Sequence, residues 1–421
     1  MHLVIVLLAL LLGALTGTAC AEPLTLREAL ERAAATSQGL RSALREVEIA
    51  REQVNVARST RLPRIDLQGG YVAQAKAQAF KFGNQSQETQ DPRYPFFNFS
   101  VYQTLYDFGR TRDQEGMARL RGEAAQYSYS GNQQDLFLQV VQAYYGILTA
   151  QKLVQAAADE VVQMESHRKT AQAMFDEGVV TRNDLLQAEV RVASSRQNVL
   201  SAENEVANGW LLLNYLTGAA PDFRAELKDE SQRPQLSADN GAPDLSRRGE
   251  LSALKALVGA DEYAVKEAKT SHYPEFFAKF GVDYLSNSKV REQAITALTV
   301  GFKVNLFDGP ASAARVRQAV QARSRDEERL RDLEERTRLE YSMAVNDLKV
   351  ADARIRVAEK AITQGVENLR ITKDRYQEHV GTATEVVDAQ TLLTKTRTDY
   401  YRSMFDLQVA AARVKRATGE L

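Results

Sequence analysis

Two hydrophobic periods alternate along this 421-residue chain. In Ile65-Asp-Leu-Gln-Gly-Gly-Tyr-Val-Ala-Gln-Ala-Lys-Ala77 the odd positions are apolar or small and the even ones mostly polar. Phe97, Phe99, Val101 and Leu105 alternate with Asn98, Ser100, Tyr102 and Thr104. Further on, Phe276, Ala278, Phe280, Val282 and Tyr284 alternate with Lys279 and Asp283, and Leu298, Val300, Phe302, Val304 and Leu306 with Thr299, Gly301, Lys303 and Asn305. A period of two predicts strands with one apolar face, placed at about 64–78, 96–108, 275–285 and 295–308. The stretches Ala79 to Arg93 and Ser286 to Gln293 are polar and read as surface loops.

Around the strands the period is that of a helix. A first helix opens at Thr25-Leu-Arg-Glu28, a capping-box pattern, and is expected to run to about Arg61. Pro63 stops it, since the residue before a proline avoids the helical region, and the counterpart helix stops at Pro274. Patterns of about 66 residues then run from Gly109 to Phe175 and from Pro310 to Tyr376. At about 1.5 Å per residue, an unbroken helix of that length reaches about 100 Å. Tyr341, Ala344, Leu348, Ala351, Ile355, Ala358 and Ile362 follow 3-and-4 spacing, a coiled-coil-like seam rich in alanine.

The chain is two copies of one plan. Leu105-Tyr106-Asp107-Phe108-Gly109 recurs as Leu306-Phe307-Asp308-Gly309, Phe175 to Thr181 as Tyr376 to Thr382, and Leu216-Thr217-Gly218 as Ala417-Thr418-Gly419, each 201 residues on (308 − 107). Upstream, Arg61-Leu62-Pro63 answers His272-Tyr273-Pro274 at 211, so the first copy carries ten extra residues between its proline and its aspartate. The expected organisation is a leader at 1–21, a first repeat at 22–218 with a helical hairpin at 109–218, a connection at 219–244, and a second repeat at 245–421 with a hairpin at 310–419.

The leader reading rests on the apolar run Leu3 to Leu15, too short for a membrane helix, and on the small-x-small site Ala19-Cys20-Ala21. No Lys or Arg precedes the run. Cleavage after Ala21 leaves a chain without cysteine; lipid attachment at Cys20 is the alternative, against which Gly17 stands where lipoprotein signals usually carry Leu. Beyond residue 22 no stretch of about 18 apolar residues occurs, so membrane insertion must use strands. A soluble half-buried sheet would give the same alternation, but it would need apolar cover that the narrow helix stripes do not offer. In hydrocarbon every backbone group must be paired, so four strands from one chain must share a barrel with other copies. Two chains give eight strands and three give twelve.

Composition removes other readings. The 54 Lys+Arg against 55 Asp+Glu leave no basic excess for nucleic acid. One cysteine and four scattered histidines, His2, His167, His272 and His379, argue against a metal site, and no cofactor is expected. There is no Gly-rich phosphate loop, His-Glu-x-x-His or Gly-x-Ser-x-Gly, so no enzyme is expected.

Each long helix ends in a short turn, Asp176-Glu-Gly-Val-Val180 or Gln377-Glu-His-Val-Gly381, and a second helix returns. Thr181 and Thr382 are placed to cap the return helices. Thr382-Ala-Thr-Glu385 reads as a capping box and Thr181-Arg-Asn-Asp184 as its shorter-armed relative. Asp388 lies one turn beyond Glu385 on the same face. In a ring of chains these acids would concentrate negative charge at an opening.

The pattern aromatic-x-x-Gly-x-x-Thr-x-x-Asp-Leu-Leu-Gln-Ala at Phe175 to Ala188, echoed from Tyr376 to Ala389, resembles the TolC-like outer-membrane efflux proteins. The resemblance extends to both repeats, both strand-to-helix junctions and the Thr-Gly repeat ends. It implies a mainly α protein with a membrane β-barrel. The barrel would be a homotrimeric twelve-stranded one, four strands per chain, set in outer-membrane lipid and continuous with a periplasmic α-barrel of helical hairpins. Such a duct is passive and serves tripartite efflux or type I secretion, opened by a periplasmic adaptor and an inner-membrane pump. The resemblance further implies adaptor docking at Gly178, Val179, Val180 and Thr181 and at Val380, Gly381 and Thr382. It places Glu385, Asp388, Asp184 and Tyr376 at the aperture and its latch. Two departures stand out: His379 where the family usually has glycine, and Gly381 where some members carry a latching arginine. The competing readings are a non-conducting envelope coiled-coil scaffold or adhesin with a membrane anchor, and an intracellular coiled-coil protein with a misread leader.

Overall fold

The computed structural model describes residues 23–229, 243–378 and 380–421. The expected leader, the middle of the expected connection and His379 lie outside the described residues. The chain divides into two compact units, one of Ser42–Gly131 with Arg248–Arg336, the other of residues up to Arg41, Asn132–Arg247 and Thr337–Leu421.

The first of these holds the strands. They are β1 (Arg64–Ala73), β2 (Ala79–Phe82), β3 (Gln85–Glu88), β4 (Arg93–Tyr106), β5 (Glu275–Leu285) and β6 (Ala294–Lys303). Four form an antiparallel sheet in the order β1-β4-β5-β6, so β1 and β6 are its outer strands. The register aligns the apolar sets on one face. Ile65 lies opposite Val101, Val101 opposite Phe280, and Phe280 opposite Leu298, so one apolar row crosses all four strands. Polar rows alternate with it: Gln68 faces Asn98, and Asn98 faces Asp283, to which its side-chain amide donates. Residues along β1 and β6 are almost all exposed. At one end Lys303 pairs with Glu275, which follows the donorless Pro274; beyond the pair Ala73 and Arg93, the Gln74 amide still donates to the Pro92 carbonyl at 2.7 Å.

Residues 79–93, expected as a loop, carry the hairpin β2–β3. Phe80 and Phe82 alternate with Lys81, and the turn at Gly83-Asn84, with Gly83 at φ 57°, sits between the partners Phe82 and Gln85. A two-residue Gly-Asn turn is a hairpin signal that the polar composition masks. The hairpin's base is tied to the β5–β6 loop. Buried Asn287 donates to the Thr89 carbonyl at 3.0 Å and accepts from the Asp91 amide at 3.1 Å. Asp91 in turn accepts from the Ser288 hydroxyl at 2.8 Å and from the Ser288 amide.

Most of α2 (Gln38–Ser59), α5 (Gly249–Thr270) and the first parts of the two long helices share this unit with the strands. The expected helix from Thr25 to Arg61 is in fact two, α1 (Leu26–Thr36) and α2, broken at Ser37, whose ψ is 122°. The Ser37 hydroxyl accepts from the Leu40 amide at 3.3 Å and so starts the second helix. The capping box at Thr25 forms with both bonds.

The long helices are α3 (Arg110–Asp176) and α6 (Ala311–Gln377), and the return helices α4 (Arg182–Thr217) and α7 (Ala383–Thr418). Repeat-equivalent aspartates start the long helices. Asp107 accepts from the Thr111 amide at 2.8 Å, and Asp308 from the Ser312 hydroxyl at 2.6 Å. Hydrogen bonding to Ser312 is the leading reason that the Asp308 carboxyl sits below the usual range. Both return helices close on left-handed glycines, Gly218 and Gly419. The expected α6 seam is buried at Ala344, Leu348, Ala351, Ile355 and Ala358, and Leu348, Ala351 and Ile355 pack with Leu407 and Ala410 of α7. Another α6 stripe, Met343, Val350 and Val357 at seven-residue steps, stays exposed. Among the described residues no helix is long and apolar enough to cross a membrane.

A buried tyrosine ties the start of the second unit to the segment after α4. The Leu24 amide donates to Glu226 at 2.7 Å and the Lys228 amide to Leu24 at 3.1 Å. The Tyr144 hydroxyl lies 2.8 Å from the Leu24 carbonyl and 2.7 Å from that of Lys228. Tyr144→Phe is expected to lower stability by about 1 kcal/mol, because the Leu24 and Lys228 carbonyls lose the hydroxyl they share while packing is kept. The shift in the guanidinium unfolding midpoint measures it.

Candidate functional site

The two turns that end the long helices lie together in the second unit. Met174 of α3 and Val180 of the first turn pack with Leu369 and Tyr376 of α6 and with Val386, Ala389 and Leu393 of α7. This small core is why the tips meet: the first turn sends Val180 inward and leaves Val179 outside, and the second return helix adds Ala383. Val180 is partly buried, whereas Val179 is 50% exposed and its repeat equivalent Val380 67%.

The turns are closed alike. The Val179 amide donates to the Met174 carbonyl at 2.8 Å, and the Val380 amide to that of Arg375 at 2.9 Å, the six-to-one bond of a Schellman ending. Gly178 makes the first possible with φ at 74°, a conformation in which a Cβ is strained. Gly381 is constrained by space instead: a Cβ there would lie 3.2 Å from the Arg375 Cβ and from the Tyr376 nitrogen.

The caps differ from the sequence expectation. Thr181 and Asp184 form the complete box. Asp184 accepts from the Thr181 amide at 2.9 Å and from its hydroxyl at 2.7 Å, while the Thr181 oxygen caps the Asp184 amide at 3.4 Å. At the second turn only half forms. The Thr382 oxygen accepts from the Glu385 amide at 3.3 Å, and the Glu385 carboxylate turns to Arg375, 3.6 Å away. The longer acid is drawn off because a guanidinium stands within reach. Asp388 is exposed on the next turn of α7, without an ion pair or hydrogen bond among the described residues.

Tyr376 is buried, and its hydroxyl has no hydrogen-bond partner among the described residues. Burial, then the charge of Asp184, raises it above the usual phenol range. Its ring packs on that of buried His167 of α3, with centroids 5.4 Å apart and planes at 52°. Burial, then the charge of Lys373, pushes the His167 imidazole below its usual range. Lys373 donates to Gln163 at 2.6 Å. His167, Lys373 and Arg375 join the site only in three dimensions. The one sequence signal was a cluster of cations in the last turns of α6. Among the described residues no group of three or more His, Cys, Asp or Glu side chains could hold a metal ion.

The outer membrane efflux protein family matches residues 29–219 and 244–420, most of the chain and both repeats. The chain belongs to the outer membrane efflux protein family. It is 22% identical over 415 residues to outer membrane efflux protein BepC of Brucella suis, covering 97% of this chain and 88% of that one. It is 22% identical over 421 residues to outer membrane protein TolC of Vibrio cholerae, covering 97% and 93%. The crystal structure of CusC has the same fold, with a TM-score of 0.83 at 17% identity over 94% of this chain and 92% of that one. As a member of the outer membrane efflux family, the chain is a channel protein of the outer membrane that extends into the periplasm, and not an enzyme. The strand-bearing unit supplies its barrel strands and the tips end its helical hairpins.

Two outcomes follow for the tip. Thr181→Ala removes a complete box and is expected to cost about 1 kcal/mol, against about half of that for Thr382→Ala. Amide exchange in the first turns of α4 and α7 reads the difference. For His167, the neutral ring is the folded form, so tip stability is whole above the ordinary imidazole value of about 6.5 and declines as pH falls below it. His167→Phe keeps the ring without the titration. The parent protein is expected to lose unfolding stability relative to this variant between pH 7.5 and pH 5.

Proposed function

We propose that three copies of this chain assemble into a passive exit duct for efflux or secretion, with a twelve-stranded barrel and a tunnel of helical hairpins. The observation that carries this reading is the sheet itself: β1 and β6 are outer strands, each paired on one side, and one face of the sheet is a continuous apolar surface, exposed along the outer strands. Neither edge can stay open in lipid. The exposed Met343, Val350 and Val357 stripe on α6 supports the same association, since a seven-residue apolar repeat is the pattern by which helices pair.

The tips are the gate and the docking end in this reading. Val179 and Val380 are exposed apolar knobs on turns otherwise held rigid by their caps, a form suited to a helical partner on a periplasmic adaptor. Gly178, Val180, Thr181, Gly381 and Thr382 shape those knobs. An inner-membrane pump would drive cargo, because the duct has no energy-converting motif. Glu385 and Asp388, repeated around a threefold axis, line the aperture, and Asp184 and Tyr376 hold the neighbouring hairpin against it.

Purified protein is expected to run as a detergent-bound trimer and to conduct in planar bilayers. Replacing both Glu385 and Asp388 by their amides should reduce cation preference and cation block. A detergent-free single chain, or unchanged selectivity in the double variant, would remove the duct or the aperture assignment respectively.

A further inference from the structure

The second tip carries a charge arrangement that the first lacks. Its repeat-equivalent position in the first tip is Met174, while here Arg375 binds the turn at two points. One guanidinium nitrogen donates to the Val380 carbonyl at 3.3 Å, and another lies 3.6 Å from the Glu385 carboxylate. The Arg375 carbonyl also accepts from the Val380 amide, so Val380 is held at both its N–H and its C=O by one residue. Gly381 leaves the Arg375 Cβ the space it occupies. Glu385 has given up its reciprocal cap bond in this arrangement, and Asp388 has no partner among the described residues.

Both members of the pair are about half exposed, so the pair adds little to stability. Its effect on a passing ion is of another kind. Opposite charges a few ångströms apart form a dipole, whose field falls faster with distance than that of a lone charge. Glu385 beside Arg375 therefore acts on an ion more weakly than Glu385 alone would, and salt screens what is left over about 8 Å.

Resting on the duct reading above, we infer that Arg375 sets the charge of the aperture: it compensates Glu385 within the same chain, so that Asp388 alone supplies the uncompensated negative charge. Arg375 is thus a specificity-determining residue acting through Glu385, and the two acids are not equivalent.

Reversal potentials in a salt gradient across planar bilayers test this, with each variant first shown to keep the parent oligomeric mass. Arg375→Ala is expected to raise the cation-to-anion permeability ratio about twofold or more, by unmasking Glu385. Arg375→Lys should stay near the parent value. Glu385→Gln should lower the ratio by leaving the arginine unbalanced, and the double variant Arg375→Ala with Glu385→Gln should return to the parent value. Asp388→Asn should lower the ratio in every background. If the double variant instead tracks Glu385→Gln alone, or Arg375→Ala changes nothing while Asp388→Asn still acts, the compensation is overturned and the duct reading stands. If no variant moves the reversal potential, the aperture assignment fails, and the compensation with it.

Discussion

A backbone amide in hydrocarbon has no water to pair with, and an unpaired one costs several kcal/mol. That cost governs the strand-bearing unit. The apolar row from Ile65 through Val101 and Phe280 to Leu298 commits one face to lipid, while β1 and β6 each have a row of ladder bonds made on one side only. In the assembly proposed above, the free backbone edges of β1 and β6 are completed by the strands of other copies. The exposed α6 stripe fits the same proposal through a different force, since apolar side chains at heptad spacing suit burial by a neighbouring helix.

Duplication explains how the rest is built. The 201-residue offset reaches past the visible motifs into the bonds themselves. Asp107 with Thr111 matches Asp308 with Ser312, the Val179-to-Met174 bond matches Val380 to Arg375, and Gly218 matches Gly419. The copies diverge where the tips meet. Asp184 serves a complete cap, Glu385 is shared with an arginine, and Tyr376 and His167 bury rings between hairpins.

What could be read from residues alone was local in origin. The strand period, the proline stops and the capping threonines depend on neighbours within a few positions, and the fold class and family followed from their order. The break at Ser37 and the hairpin at Gly83-Asn84 had signals too, outweighed by a continuous helical pattern on one side and a polar composition on the other. The box expected at Thr181 forms in full and the one expected at Thr382 only by half, because glutamate's longer arm suits a cap only when nothing else competes for it. Arg375 competes from ten residues away. The contact of His167 with Tyr376, 209 positions apart (376 − 167), depends on how two helices are rotated about their axes, which no single-helix pattern encodes.

The knot of Asn287, Ser288, Asp91 and Thr89 has an evolutionary corollary. Two loops remote in sequence share one hydrogen-bond network at their bases, so neither can drift alone: a change at Asp91 strands the amide and hydroxyl of Ser288, and one at Asn287 strands the Thr89 carbonyl. Variation pressed on this surface would be channelled away from the knot, toward the Gly83-Asn84 bend. Length changes would accumulate there, while Asn287, Asp91 and Ser288 mutate together or stay as they are; Thr89 lends only its backbone carbonyl.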